Sequence, residues 1–146
     1  MIATLFFLLA TMQNCPMHQQ HMVEARHDTF GFSHQASAHT FRTLDDGGAI
    51  ELRANDAKDQ ATIDAIRKHL QTIAESFQKN DFSKPQFVHG KTPDGVETMK
   101  RLRSAIDYRY EELPDGGRVR ITTTNAEALD AVHAFIEFQN AEHHGR

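Results

Sequence analysis

Residues 39–54, HTFRTLDDGGAIELRA, and residues 106–124, IDYRYEELPDGGRVRITTT, decide the fold. Each reads as a strand, an acidic turn ending in two glycines, and a second strand. Asp45-Asp46-Gly47-Gly48 and Pro114-Asp115-Gly116-Gly117 supply turn residues with glycine where a positive backbone φ is needed, so each stretch predicts a β-hairpin. Ile50, Leu52 and Ala54 alternate with Glu51 and Arg53, while Val119 and Ile121 alternate with Arg118 and Arg120. That period of two gives each inner strand one wet and one dry face. Phe41 belongs on the dry face, and it carries His39 inward with it.

A helical pattern follows each hairpin. Ile63, Ile66, Leu70, Ile73 and Phe77 make one apolar stripe between about Asp59 and Gln78. Leu129, Val132 and Ile136 make another between about Ala126 and His143, and it continues through Gln139 to His143. Ile63-Asp64-Ala65-Ile66 aligns with Leu129-Asp130-Ala131-Val132, which points to a duplicated ββα unit. Each element must bury its dry side against another layer. The expected fold is therefore α+β: a four-stranded antiparallel sheet with two main helices on one face. The connector 82–102, FSKPQFVHGKTPDGVETMKRL, reads as loop around Pro85, Gly90, Pro93 and Gly95, then as a short helix carrying Val96, Met99 and Leu102. His89 falls in the loop, where binding groups often sit.

A chain of 146 residues is one domain's worth, and the regular pattern confines that domain to 38–146. Ahead of it lie a polar segment, 15–37, and a signal-like segment, 1–14. The apolar run from Ile2 to Met12 has the length of a secretory core and is too short to span a bilayer. Export, for instance to a periplasm, is the expectation, with no transmembrane span. Twenty acidic against sixteen basic residues give a formal charge of −4, which argues against a nucleic-acid partner. Cys15 is the only cysteine, which excludes an internal disulfide. It leaves pairing between chains, lipid attachment, an inert thiol or a metal thiolate.

Chemistry concentrates in residues 15–41, CPMHQQHMVEARHDTFGFSHQASAHTF, which hold that cysteine and five of the ten histidines. Cys15, Met17, His18 and His21, with Met22 beside them, mix thiolate, thioether and imidazole, the donors of soft and borderline metals. That mixture favours copper over zinc. His34, His39 and His143 come from separate elements and form a second set, able to hold a metal with an open position. Alternatively they could ligate a haem in a pocket lined by Phe30, Phe32, Phe41, Phe135 and Phe138. His89 joins the metal candidates; His69 and His133, at the edges of their helical stripes, are expected to take a solvated or boundary role. No Gly-rich phosphate loop, HExxH or paired CxxC occurs, so binding is favoured over catalysis. Expected partners are a metal ion, and with it a metal-delivery protein or a second copy of the chain. The remaining alternative is a protein-interaction module docking through the Arg- and Thr-rich sheet face.

The Cys-Pro-Met-His word at 15–18 resembles the short motif of heavy-metal-binding modules in bacterial copper and silver export systems. Over most of the chain from Cys15, the segments GFSHQASAHTF, IELRAND, PDGVETM and HAFIEFQNAEH are similar to those of a family of small exported bacterial proteins. In that family a CPMHxxH element precedes a GFxH and HxF element and a final FxxFQxxEH helix. Ala38 stands where the family often has the first of two adjacent histidines. The family resemblance implies the same domain boundaries without an assigned activity, while the Cys-Pro-Met-His word alone implies metal binding.

Overall fold

The computed structural model describes residues 16–144; Cys15, the signal-like segment and the last two residues lie outside it. The elements run α1 (Pro16–His27), β1 (Ser37–Leu44), β2 (Gly47–Ala54), α2 (Gln60–Gln78), α3 (Ser83–His89), α4 (Val96–Arg101), β3 (Ile106–Leu113), β4 (Gly116–Thr123) and α5 (Ala126–His144). Short 3-10 turns at Asp28–Phe30 and His34–Ala36 join α1 to β1. The sheet is antiparallel throughout, in the order β1-β2-β4-β3, with both hairpins as expected.

The inner strands β2 and β4 meet along the centre of the sheet, where the two halves mirror each other. The Ala54 amide donates to the Asp115 carbonyl at 2.8 Å, and the Thr123 amide donates to the Asp46 carbonyl at 2.9 Å. Each hairpin turn thus ties off the end of the other half's inner strand. Glycine is required at the first position of both strands by this close approach. A Cβ on Gly47 would lie 1.8 Å from the Ile121 carbonyl oxygen, and one on Gly116 would lie 2.0 Å from that of Leu52. Of the four turn glycines only Gly47 has a positive φ, 151°, so crowding rather than backbone sign explains the pattern.

The helices cover one face with an exchange: α2, which follows the first hairpin, packs chiefly on β3 and β4, while α5 packs chiefly on β1 and β2. Asp59 caps α2 by accepting from the Thr62 amide at 3.1 Å. The expected stripe Ile63, Ile66, Leu70, Ile73 and Phe77 is buried, and on α5 Val132, Phe135, Ile136, Gln139 and His143 are buried, with Leu129 only half so. On the other face Glu51 accepts from Arg53 at 2.7 Å and from Arg42 at 3.2 Å, and Asp46 accepts from Arg120 at 2.9 Å.

Two expectations about the irregular parts are corrected. Residues Ser83–His89 form a helix rather than loop; Pro85 sits in its first turn, where the missing amide hydrogen costs nothing. The segment before residue 38 is also part of the packed body. Val23 is 4% exposed and Phe32 6%, and the Arg26 guanidinium donates to the Val88 carbonyl at 3.4 Å.

Candidate metal centre

His39 lies on the dry face of β1 between Ser37 and Phe41, as strand alternation requires. His143 occupies the last turn of α5, four residues beyond Gln139 on the buried stripe. The exchange of helices between hairpins lays the end of α5 over β1, so these rings stand 5.5 Å apart. From above comes the strap of α1 and the two 3-10 turns. Its helix ends in His27, and the turn after Gly31, held by the Asp28 carboxylate accepting from the His34 amide at 2.6 Å, brings His34 back over the same spot.

The result is a quartet. Ring centres of His27, His34, His39 and His143 are separated by 4.5 Å (His27 to His39, and His34 to His39), 5.5 Å (His27 to His34, and His39 to His143), 5.7 Å (His34 to His143) and 5.8 Å (His27 to His143). A tetrahedral ion bound to ring nitrogens at about 2.0–2.1 Å would separate the ring centres by about 5 Å and the nitrogens by about 3.3 Å. His27 Nε2 and His39 Nε2 are 3.1 Å apart. Spacing therefore matches; orientation does not. The rings of His34, His39 and His143 lie within 13–16° of parallel, stacked beside one another rather than fanned around one ion. Among the described residues, no three His, Cys, Asp or Glu side chains stand ready to hold a metal ion. Ligation would require rotating the rings about their χ2 angles.

Burial keeps His27, His39 and His143 uncharged. It pushes His27 down to about 3, with His69, His34 and His89 adding repulsion. His39 and His143 are driven well below the ordinary imidazole range, first by burial and then by their histidine neighbours. A neutral imidazole is the form that ligates. The buried nitrogens His27 Nδ1, His34 Nε2, His39 Nδ1, His89 Nδ1 and His143 Nδ1 have no hydrogen-bond partner among the described residues. Orphaned buried polar atoms each cost about 1–3 kcal/mol. Five such atoms on neighbouring rings are unsatisfied polarity in want of a partner, although those of His27 and His39 are Nδ1 and not the Nε2 pair that lies at ion-like spacing.

Two further imidazoles flank the quartet. His89, the last residue of α3, donates from Nε2 to the Gln139 amide oxygen at 2.8 Å, which leaves its Nδ1 as the bare nitrogen; its ring is 5.2 Å from that of His143. A carbonyl accepting from the far ring nitrogen is the usual support of a metal-bound histidine. His69 is half-buried at the edge of its stripe: it lines the cavity beneath the strap, stacks on Phe30 at 4.6 Å, and is lowered to about 4 by burial and then by Lys84. His133 instead meets the Leu44 carbonyl at 2.8 Å.

Of the sulfur-bearing set, Met17, His18 and His21 do not join them, and Cys15 lies outside the described residues. Met17 is 68% exposed and the His21 side chain 76%, and His18 is exposed too, because α1 turns Val23 and His27 inward and these three residues outward. Of the quartet, His27 is the residue the sequence reading passed over. The available signal was Val23 and His27 at helical spacing, followed at once by Phe30 and Phe32. Compared with protein families, with curated proteins and with solved structures, the chain shows no match.

Proposed function

We propose that this protein is an exported transition-metal carrier that holds copper among His27, His34, His39 and His143 and passes it on. The observation behind this reading is the quartet itself: four uncoordinated imidazoles from separate elements whose ring centres stand 4.5–5.8 Å apart, close to tetrahedral spacing. The apolar run from Ile2 to Met12 supports export.

The preference for copper now rests on charge rather than on mixed donors. Nitrogen-only sites suit zinc, copper, iron and nickel. No carboxylate belongs to the quartet: that of Asp28 accepts from the His34 backbone amide, and that of Glu142 lies 3.9 Å from His89 Nδ1, outside the quartet. Burying an ion among neutral ligands costs more as the square of its charge, about fourfold for a dication over a monocation. Cu(I) is the monocation among these metals.

Haem is the weaker alternative. The cavity beside the quartet has a volume of about 50 Å³, against roughly 300–1,000 Å³ for sites that enclose drug-sized ligands. Docking through the sheet face is also weaker, because its arginines Arg42, Arg53, Arg118 and Arg120 are already paired with Glu51, Asp115, Glu111 and Asp46. The test is anaerobic titration with Cu(I) against a chromophoric chelator, in parallel with Zn(II) and haem. Stoichiometric copper uptake, weakened in His39→Ala and in His143→Ala by more than the roughly 10–100-fold of an outer-shell change, is expected. No uptake of any ion at micromolar concentration would overturn the reading.

A further inference from the structure

We infer that α1 and the turn after it, residues 16–30, form a lid hinged at Gly31, which opens as a unit and uncovers the cavity beside the quartet while the sheet and its helices stay folded. The inference concerns access to the imidazoles of the metal-free chain, so it does not rest on the carrier reading.

The lining of the cavity divides at one point of the chain. His27 and Phe30 come from ahead of Gly31, and every other lining residue belongs to β1, β2, α2, α3 or α5. His39, His69, His89 and His143 are all on that second side. Lifting residues 16–30 therefore removes two rings from the wall and leaves the rest of it standing. It also brings water to the Nδ1 atoms of His27, His39, His89 and His143, which are buried in the closed form without a partner among the described residues. Orphaned polar atoms destabilise the closed form, and their solvation offsets part of the cost of opening.

The two sides of Gly31 are fastened differently. Beyond it Phe32 is buried, and Asn55, just past β2, ties down the next turn: its amide donates to the Ala36 carbonyl at 2.9 Å and its side chain to the Gln35 carbonyl at 2.8 Å. Ahead of it only Val23 and His27 are fully buried among residues 17–30. The hydrogen bonds from there to the body are Arg26 to the Val88 carbonyl at 3.4 Å and the His27–His39 ring pair at 3.1 Å, and Phe30 adds its stack on His69. Segments with so few buried contacts open at lower cost than the core. Gly31 has a φ of 98°, with nothing within 4 Å of the place a Cβ would take. A glycine between a fastened and a lightly held segment is where a change of backbone angle is absorbed.

The test is acylation of the metal-free full chain by diethyl pyrocarbonate, mapped residue by residue by mass spectrometry, beside amide exchange of the sheet. His18 and His21, exposed on α1, give the rate of an open imidazole. His39 and His143 are expected to react more slowly than these, through an opening many-fold more frequent than the one that exposes the Val119 and Ile121 amides. Gly31→Ala strains the hinge where the added methyl meets nothing, and Val23→Ala loosens the buried contact of α1. Each should raise acylation of His39 and His143 several-fold and leave the sheet amides protected; if Gly31→Ala does not fold, Val23→Ala carries the test. Acylation of His39 and His143 only as fast as the sheet itself opens, or unmoved by the variants, would overturn the lid. Faster acylation of His27 alone would mean that α1 frays without uncovering the cavity, and would overturn it too. No readout here uses a metal, so the carrier function and the lid stand or fall separately.

Discussion

At the scale of single residues, the most constrained positions are not the ligands but the glycines that let β2 and β4 touch. Gly116→Ala would drive a Cβ to 2.0 Å from the Leu52 carbonyl oxygen, backbone that cannot swing aside. A loss of about 3 kcal/mol or more in chemical denaturation is expected. Gly117→Ala meets the Tyr110 side chain at 2.9 Å instead, so it should cost less. Tyr108 gives the opposite sign. Its hydroxyl is buried among Phe77, Phe82 and their neighbours without a partner among the described residues, and burial holds it well above the ordinary phenol range. Tyr108→Phe should therefore leave stability unchanged or raise it by about 1 kcal/mol, read as a higher melting temperature. His18→Ala with His21→Ala removes only solvated imidazoles; melting and buried-site copper affinity should both hold.

At the scale of elements, α1 is the piece whose role the sequence concealed. Its outer surface is polar, and its inner face offers only Val23 and His27 among the fully buried residues, too short a stripe to announce itself. The strap it begins contributes two of the four quartet rings without taking part in the sheet. Val23→Asp should release it, at a cost of about 1–3 kcal/mol for the buried charge or the detachment that avoids it. The sheet core should survive, with amide protection kept at Val119 and Ile121 and copper affinity lost. Equal loss of protection across the sheet would show that the strap is needed for the fold. The connector teaches a related lesson. Pro85 reads as a helix breaker in isolation, yet in a first turn it is compatible with α3, and only the helix can deliver His89 to Gln139.

At the scale of the whole molecule, the histidine cluster couples stability to pH. In the unfolded chain an imidazole takes up a proton near 6.5, whereas His69 is held to about 4 and His27 to about 3, with His39, His89 and His143 also lowered. Between those values the unfolded state binds more protons, so stability rises with pH there. The metal-free protein is expected to be at full stability above about pH 6.5 and to lose it progressively as pH falls toward 4. Replacing His69 with Phe should flatten that slope. Copper should shift the transition to lower pH, because a proton must displace the ion before the imidazole can charge. Equal melting temperatures at pH 7 and pH 4.5 would contradict this account.

The sequence by itself determined both hairpins, both long helices and the inward face of His39, because these follow from periods of two and about 3.6 that local chemistry writes into the chain. It also marked His34, His39, His89 and His143 as candidates, though not which would meet. Tertiary structure decided that. The helix of each half covers the strands of the other, an exchange that no pattern of spacing records, and it carries His143 onto β1. The strap then adds His27 and His34 from above. Convergence of side chains far apart in sequence depends on how layers stack, and layer stacking is fixed only when all the buried faces are satisfied together.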